Sequence, residues 1–169
     1  MTQSILNNFE QKIKEIIKLY QNNYISKALL KSEELLKKEK KSHFLFNLNG
    51  MINISLKNWE KAITSLNQAI NLNDKYLEAY NNLGVAYNNN GELQKAIDNF
   101  SISIKIKDNY ANGYNNLGSV YDDLGKFDEA IDNYCKALKI DSKHIEAQTN
   151  LIHILTHHST NKENSNPII

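Results

Sequence analysis

The 169-residue chain contains no arginine; all 20 of its basic side chains are lysines. It therefore lacks the planar, bidentate cation enriched at binding hot spots. A single cysteine excludes an internal disulfide and suits a reducing compartment. No stretch approaches the roughly 18 apolar residues of a membrane span. The opening residues MTQSILNNFEQKIK lack the charged start and unbroken apolar run of a secretory signal. A net charge of +1 gives no global pull toward nucleic acid or a membrane surface. These absences lead to the expectation of a cytoplasmic, water-soluble chain that binds neither nucleic acid nor membrane.

Catalytic and cofactor signatures are missing as well. There is no GxSxG, no HExxH and no paired-cysteine spacing. Gly125-Lys126 is not a phosphate loop, because Lys126 is followed by Phe127. His153 and His157 are four apart, but no third metal ligand accompanies them. Cys135 stands where Asn67 and Ser101 stand at equivalent places, which reads as an outer-face thiol. The lysines at 37, 38, 40 and 41 alternate with Glu33, Glu34 and Glu39, a solvated face rather than a nucleic-acid stripe. No enzyme activity, metal or cofactor is expected.

What the chain does have is a 34-residue sentence written twice. Tyr80, Asn81, Asn82, Leu83, Gly84 and Tyr87 recur as Tyr114, Asn115, Asn116, Leu117, Gly118 and Tyr121. Gly91, Ala96, Ile97, Asp98 and Asn99 recur as Gly125, Ala130, Ile131, Asp132 and Asn133. A fixed offset of this length marks stacked helical repeats. Counting outward gives repeats over 9–42, 43–76, 77–110 and 111–144, with Ala28, Ala62, Ala96 and Ala130 in register. The first is degenerate, carrying Ile16 where later repeats carry Gly50, Gly84 and Gly118. Atypical end repeats are expected of caps. A capping helix follows over 145–156, where Leu151 is in phase and Ile152 replaces the glycine. Residues 157–169 read as a disordered tail or linker.

The small residues have a packing reason. Gly84 and Ala96, like Gly118 and Ala130, allow two helices to approach closely, and a leucine at Gly84 should overpack the contact by roughly 1–3 kcal/mol. Gly91 and Gly125 fall at inter-helix turns, where positive φ is cheap. Trp59 opens a second helix, as Leu93 and Phe127 do, and reads as a core residue between helices.

This pattern resembles the tetratricopeptide repeat family. The resemblance covers roughly residues 9–156, and its motifs are most specific in 77–144. One habit of the family is missing: Asp74, Asp108 and Ser142 stand where a proline usually ends each repeat. The resemblance implies an all-α, right-handed solenoid of about four hairpins plus a cap. It implies a protein-interaction scaffold that holds a peptide or partner segment in a concave groove lined by first helices. Carried onto this sequence, the groove would present Asn47, Met51 and Ile54, then Asn81, Val85, Asn88 and Asn89, then Asn115, Ser119, Asp122 and Asp123. These helices lack lysine, which argues against the family's clamp for a C-terminal carboxylate. Asn82, Asn116 and Asn150 recur every 34 residues and resemble an asparagine ladder that grips a peptide backbone, since an amide both donates and accepts. On that reading their joint change to alanine weakens peptide capture without lowering the melting temperature. Two other readings stay open. Such arrays also serve as substrate-recruiting or dimerising modules of a larger glycosyltransferase, sulfotransferase or oxygenase, and Asn166-Pro167-Ile168-Ile169 looks like a linker. Self-association through the apolar outer edge of a terminal helix is the third.

Overall fold

The fold is that of a computed structural model, which describes the backbone of residues 3–163 and the side chains of 8–156. Nine helices and no strands occur among the described residues: α1 (Gln3–Gln21), α2 (Ile25–Lys38), α3 (His43–Ser55), α4 (Trp59–Leu72), α5 (Leu77–Asn89), α6 (Leu93–Ile106), α7 (Ala111–Asp123), α8 (Phe127–Ile140) and α9 (Ile145–Glu163). They fall into two compact units, Met1–Gly91 and Glu92–Ile169.

In the first unit α1 pairs with α2, α3 with α4, and each hairpin packs on the next first helix; α3 also runs beside α5. Ile13, Ile16, Ala28, Leu35, Leu45, Leu48 and Ile52 form one core, and Ala62, Leu66, Leu83 and Ala86 a second. In the second unit α7 pairs with α8, α6 packs on α7, and α8 on α9. There Ala130, Tyr134 and Ile154 are buried together, with Leu151 packed against them. Isolated helical hairpins cannot bury both apolar faces, so each of these elements depends on its neighbour.

Close approach is enforced where the repeat has glycine. A Cβ at Gly50 would lie 2.6 Å from Leu66 Cγ, and one at Gly118 would lie 2.8 Å from the Tyr134 ring. In the first repeat the sizes are exchanged. Ile16 takes the glycine position and Ser32 the position of Leu66 and Tyr134, both fully enclosed. The degenerate repeat thus keeps the volume while inverting which helix supplies it.

Four turn residues have positive φ, each 34 apart: Asn23 (63°), Lys57 (59°), Gly91 (80°) and Gly125 (69°). Lysine is the misfit, since a left-handed conformation costs a β-carbon-bearing residue roughly 1–2 kcal/mol. Lys57→Gly should therefore raise stability by about 0.5–1 kcal/mol, after the extra backbone entropy of glycine is subtracted. The midpoint of urea unfolding measures it, and an unchanged or lower midpoint would contradict the strain.

Where the family's proline is missing, some helices are stopped by local side-chain bonds. Asn73 Oδ1 accepts from the Lys75 N–H at 3.2 Å, and Asp141 Oδ1 from the Lys143 N–H at 3.0 Å. These are Asx turns. Helix starts are capped by Ser42, whose Oγ accepts from the Leu45 N–H, and by buried His144, whose Nδ1 accepts from the Ala147 N–H. His144 Nε2 lies 2.8 Å from Asn112 Oδ1, which ties the start of α9 to α7. The last helix is longer than expected: α9 continues past Thr156 to Glu163, because no glycine or proline interrupts that stretch. Of the expected tail, residues 164–169 lie outside the described residues.

Candidate functional site: the first-helix faces

Each compact unit places two first helices side by side, α3 with α5 and α7 with α9. The same asparagine bond joins both pairs. Asn82 Nδ2 donates to Asn47 Oδ1 at 2.9 Å, and Asn150 Nδ2 donates to Asn115 Oδ1 at 3.2 Å. Asn47 Nδ2 points on toward the Tyr76 hydroxyl at 3.5 Å, and His43 meets the Tyr76 ring edge-on. Burial, then the Glu78 carboxylate, raises the Tyr76 phenol above its usual range, and the Asn47 bond opposes them. A third tie, Tyr20 hydroxyl to Ser55 Oγ at 2.8 Å, links α1 to α3.

These bonds correct part of the expected site. Asn47, Asn81 and Asn115 are only 4%, 8% and 8% exposed, so they do not offer their amides to a passing chain. For Asn47 and Asn115 the physical reason is the bond itself: each is enclosed as the acceptor for the neighbouring first helix. Asn82 and Asn150 are half-buried, each with one N–H committed to that brace. Asn116 is half-buried on α7, its Oδ1 3.5 Å from Asn115 Nδ2.

Bracing gives Asn82 a share in stability that the sequence expectation denied it. Asn82→Ala leaves the enclosed Asn47 Oδ1 without its donor, which should lower stability by about 1–2 kcal/mol. Thermal melting checks this, and an unchanged midpoint would mean the bond is not formed in solution.

What the faces do present is half-buried Met51, Asn82, Val85 and Asn88 with exposed Asn89 in the first unit, and half-buried Ser119, Asp122 and Asn150 in the second. Asn89 Nδ2 is turned onto its own helix, donating to the Val85 carbonyl at 2.8 Å. Asn88 differs: its Oδ1 is enclosed and has no hydrogen-bond donor. A buried acceptor without a donor is unfavourable by roughly 1–3 kcal/mol. Neither α3, α5 nor α7 carries a lysine, whereas Glu78, Asp122 and Asp123 supply negative charge.

The remaining residues singled out by the sequence fall elsewhere. Cys135 is exposed on α8, and Lys126 lies over the Tyr121 ring at 5.9 Å from its centre. No group of three metal-ligating side chains occurs among the described residues, and the His157 side chain lies outside them. No described helix is long and apolar enough to cross a membrane. Trp59 is not a fully enclosed core residue: it is half-buried and lines a hollow of about 310 Å³ with Lys57, Asn58, Glu60, Lys61 and Asn90.

Two family models match the chain, a tetratricopeptide repeat over residues 75–143 and a TPR repeat over 50–91, together more than half of it. Among solved structures, MamA superposes with a TM-score of 0.73 at 28% identity, covering 85% of this chain and 84% of that one. TTC0263, a thermophilic TPR protein in Thermus thermophilus, has a TM-score of 0.79 at 19% identity, with 89% and 82% covered. The first TPR of Spaghetti (RPAP3), bound to the HSP90 peptide SRMEEVD, gives 0.66 at 16% identity, with 72% and 96% covered. These likenesses share one architecture, an all-α helical-repeat solenoid. No curated protein matches.

Proposed function

The chain belongs to the tetratricopeptide repeat family, and from that premise we propose that it is an interaction module whose first-helix faces hold a protein segment. The observation that carries this reading is that half-buried Met51, Asn82 and Val85 lie on the paired first helices α3 and α5, neither of which has a lysine. Met51, Asn82, Val85 and Asn89 would line the rest of the contact on the first unit. Asn116, Ser119, Asp122 and Asn150 would form the corresponding face of the second. The bracing asparagines fix paired first helices against each other before a ligand arrives, so less ordering is required on binding.

Charge sets the class of segment. The RPAP3 domain holds a peptide ending in two glutamates, a valine and an aspartate. Here α5 carries Glu78 and α7 carries Asp122 and Asp123, and none of α3, α5 and α7 has a lysine. The partner is thus a neutral or basic segment, not an acidic C-terminus. The proposed setting is the cytoplasm. Display selection of random peptides on the immobilised protein tests this: sequences poor in Asp and Glu should be enriched. Val85→Lys and Asp122→Lys should each weaken capture about tenfold. Enrichment of acidic peptides, or capture indifferent to both changes, would overturn the reading.

One observation favours self-association as a second reading. Ile145, Ile152 and Leu155 are exposed on α9, with Ile152 62% accessible. Concentration-dependent light scattering that vanishes in Ile152→Glu would support it, and a monomer at all concentrations would exclude it.

A further inference from the structure

The two ends of the repeat array are finished differently. At the N-terminal end, positions that face a preceding repeat are charged. Lys12 stands where Phe46, Tyr80 and Tyr114 stand, and Glu15 where Leu83 and Leu151 pack on the second helix before them. With Lys31, Glu34 and Lys38 they line the groove between α1 and α2, where Lys31 and Glu15 pair at 2.9 Å. Covering this end would strip water from five charges, so it does not receive an apolar helix. A polar outer face of this kind closes a repeat array.

At the other end α9 is bare. Ile152 stands at the position of Gly50 and Gly118, which lie against Leu66 and Tyr134 of their own second helices. Thr149 stands at the position of Asn47 and Asn115, which bond to the next first helix. No described helix takes either place beside α9, and Ile145 and Ile152 are 72% and 62% exposed.

Ile145, Thr149, Ile152 and Thr156, all exposed, are spaced four, three and four apart, as in a seam between paired helices. None is charged. Thr149 Oγ1 donates to the Ile145 carbonyl at 2.9 Å, and Thr156 Oγ1 reaches that of Ile152 at 3.0 Å. These hydroxyls are satisfied within the helix, so covering them leaves no donor unmet.

The seam alternates large and small, and that selects its occupant. In a parallel pair of α9 helices isoleucine would meet isoleucine and threonine would meet threonine, giving wide and narrow layers in turn. Run antiparallel, Ile145 meets Thr156 and Thr149 meets Ile152, with the other two layers repeating these by symmetry. Every layer then has the same volume and the helices approach evenly, by the same exchange of sizes that Ile16 and Ser32 make in the first repeat. At the edge of the seam Glu146 comes beside His153 of the second copy, so no like charges meet. A self-complementary pattern is what an isologous two-fold contact requires. We infer that α9 docks antiparallel on α9 of a second copy, and that association stops at two because the charged N-terminal end is closed to it. This rests on the self-association reading above and gives it a geometry.

Sedimentation equilibrium of the full chain should pass from 19.4 kDa toward twice that mass with rising concentration, and no further. Ile152→Glu, at an exposed position, should return it to monomer with its circular dichroism unchanged. For the orientation, Cys135, exposed on α8, is first replaced by serine. Chains carrying Thr149→Cys or Ile152→Cys, one of them tagged, are then oxidised singly and mixed. The mixed 149–152 disulfide should exceed either like-with-like disulfide about tenfold, because the bond forms only between Cβ atoms within about 4.5 Å. Like-with-like disulfides in excess would mean a parallel pair, and masses beyond twice 19.4 kDa an open chain of copies. Either overturns this geometry and leaves self-association standing. A monomer at all concentrations overturns both.

Discussion

Gly118→Ile is expected to lower stability by about 3 kcal/mol, at the upper end of what overpacking produces. The new Cβ would stand 2.8 Å from two atoms of the Tyr134 ring and 3.2 Å from the Ala130 carbonyl oxygen. The ring could turn aside, but the carbonyl belongs to the helix and cannot. The first repeat indicates the remedy, because it pairs Ile16 with Ser32 at the same two positions. Tyr134→Ser alone opens a cavity and is itself destabilising. Combined with Gly118→Ile, it should give a chain about 2 kcal/mol more stable than the sum of the two single changes implies. Urea unfolding of the four proteins measures that coupling. Strict additivity would mean that the glycine and the ring do not share one contact.

Tyr134 also makes stability depend on alkaline pH. Its side chain is 1% exposed, and burial, followed by the carboxylates of Asp122 and Asp123, pushes its phenol up to about 12; the Ser119 hydroxyl acts in the other direction. An unfolded tyrosine titrates near 10. The neutral form is therefore favoured by folding. Its contribution is complete below pH 10 and is lost as pH rises through 12. A shift of about two units corresponds to at most 2–3 kcal/mol. Tyr134→Phe, which copies Phe100 of the third repeat, should remove that part of the alkaline loss. Unfolding free energies of both proteins between pH 9 and 12 should converge as pH rises, and parallel curves would contradict the buried phenol.

The architecture is legible because it is written in backbone requirements. A residue that must be small or left-handed leaves few alternatives, so Gly50, Gly118, Gly91 and Gly125 announce helix contacts and turns from the sequence alone. Side-chain exchange between helices is less legible. Ile16 at a glycine position looks like decay until Ser32 is noticed at an aromatic one. Lys57 hides a left-handed turn because lysine has no preference for it, although it aligns with Gly91.

The site is harder still, for a reason that lies in asparagine itself. An amide serves a passing peptide and a neighbouring helix equally well, and the 34-residue period places Asn82 and Asn150 without saying which they serve. The signal is an offset of 35, from Asn47 to Asn82 and from Asn115 to Asn150, which joins one first helix to the next. Asn47, Asn81 and Asn115 are then enclosed, and Met51, Val85 and Asp122 remain available. Trp59 defeats the sequence reading because an apolar residue at a helix start can face either the core or the rim. Asn49 and Asn53 are inconspicuous in a chain so rich in asparagine, yet with Ser32 they stand where repeats three and four have leucine, tyrosine and phenylalanine.

The central claim, that partners are held on the first-helix faces, is tested most directly by where a partner can be crosslinked. A photoreactive benzoylphenylalanine placed singly at Val85, Asp122 and Cys135 samples both faces and, through Cys135 on α8, a second helix. With a peptide recovered from display, Val85 and Asp122 should give covalent adducts and Cys135 none. Adducts at Cys135, with Val85 and Asp122 silent, would contradict the claim and move the partner to the second helices.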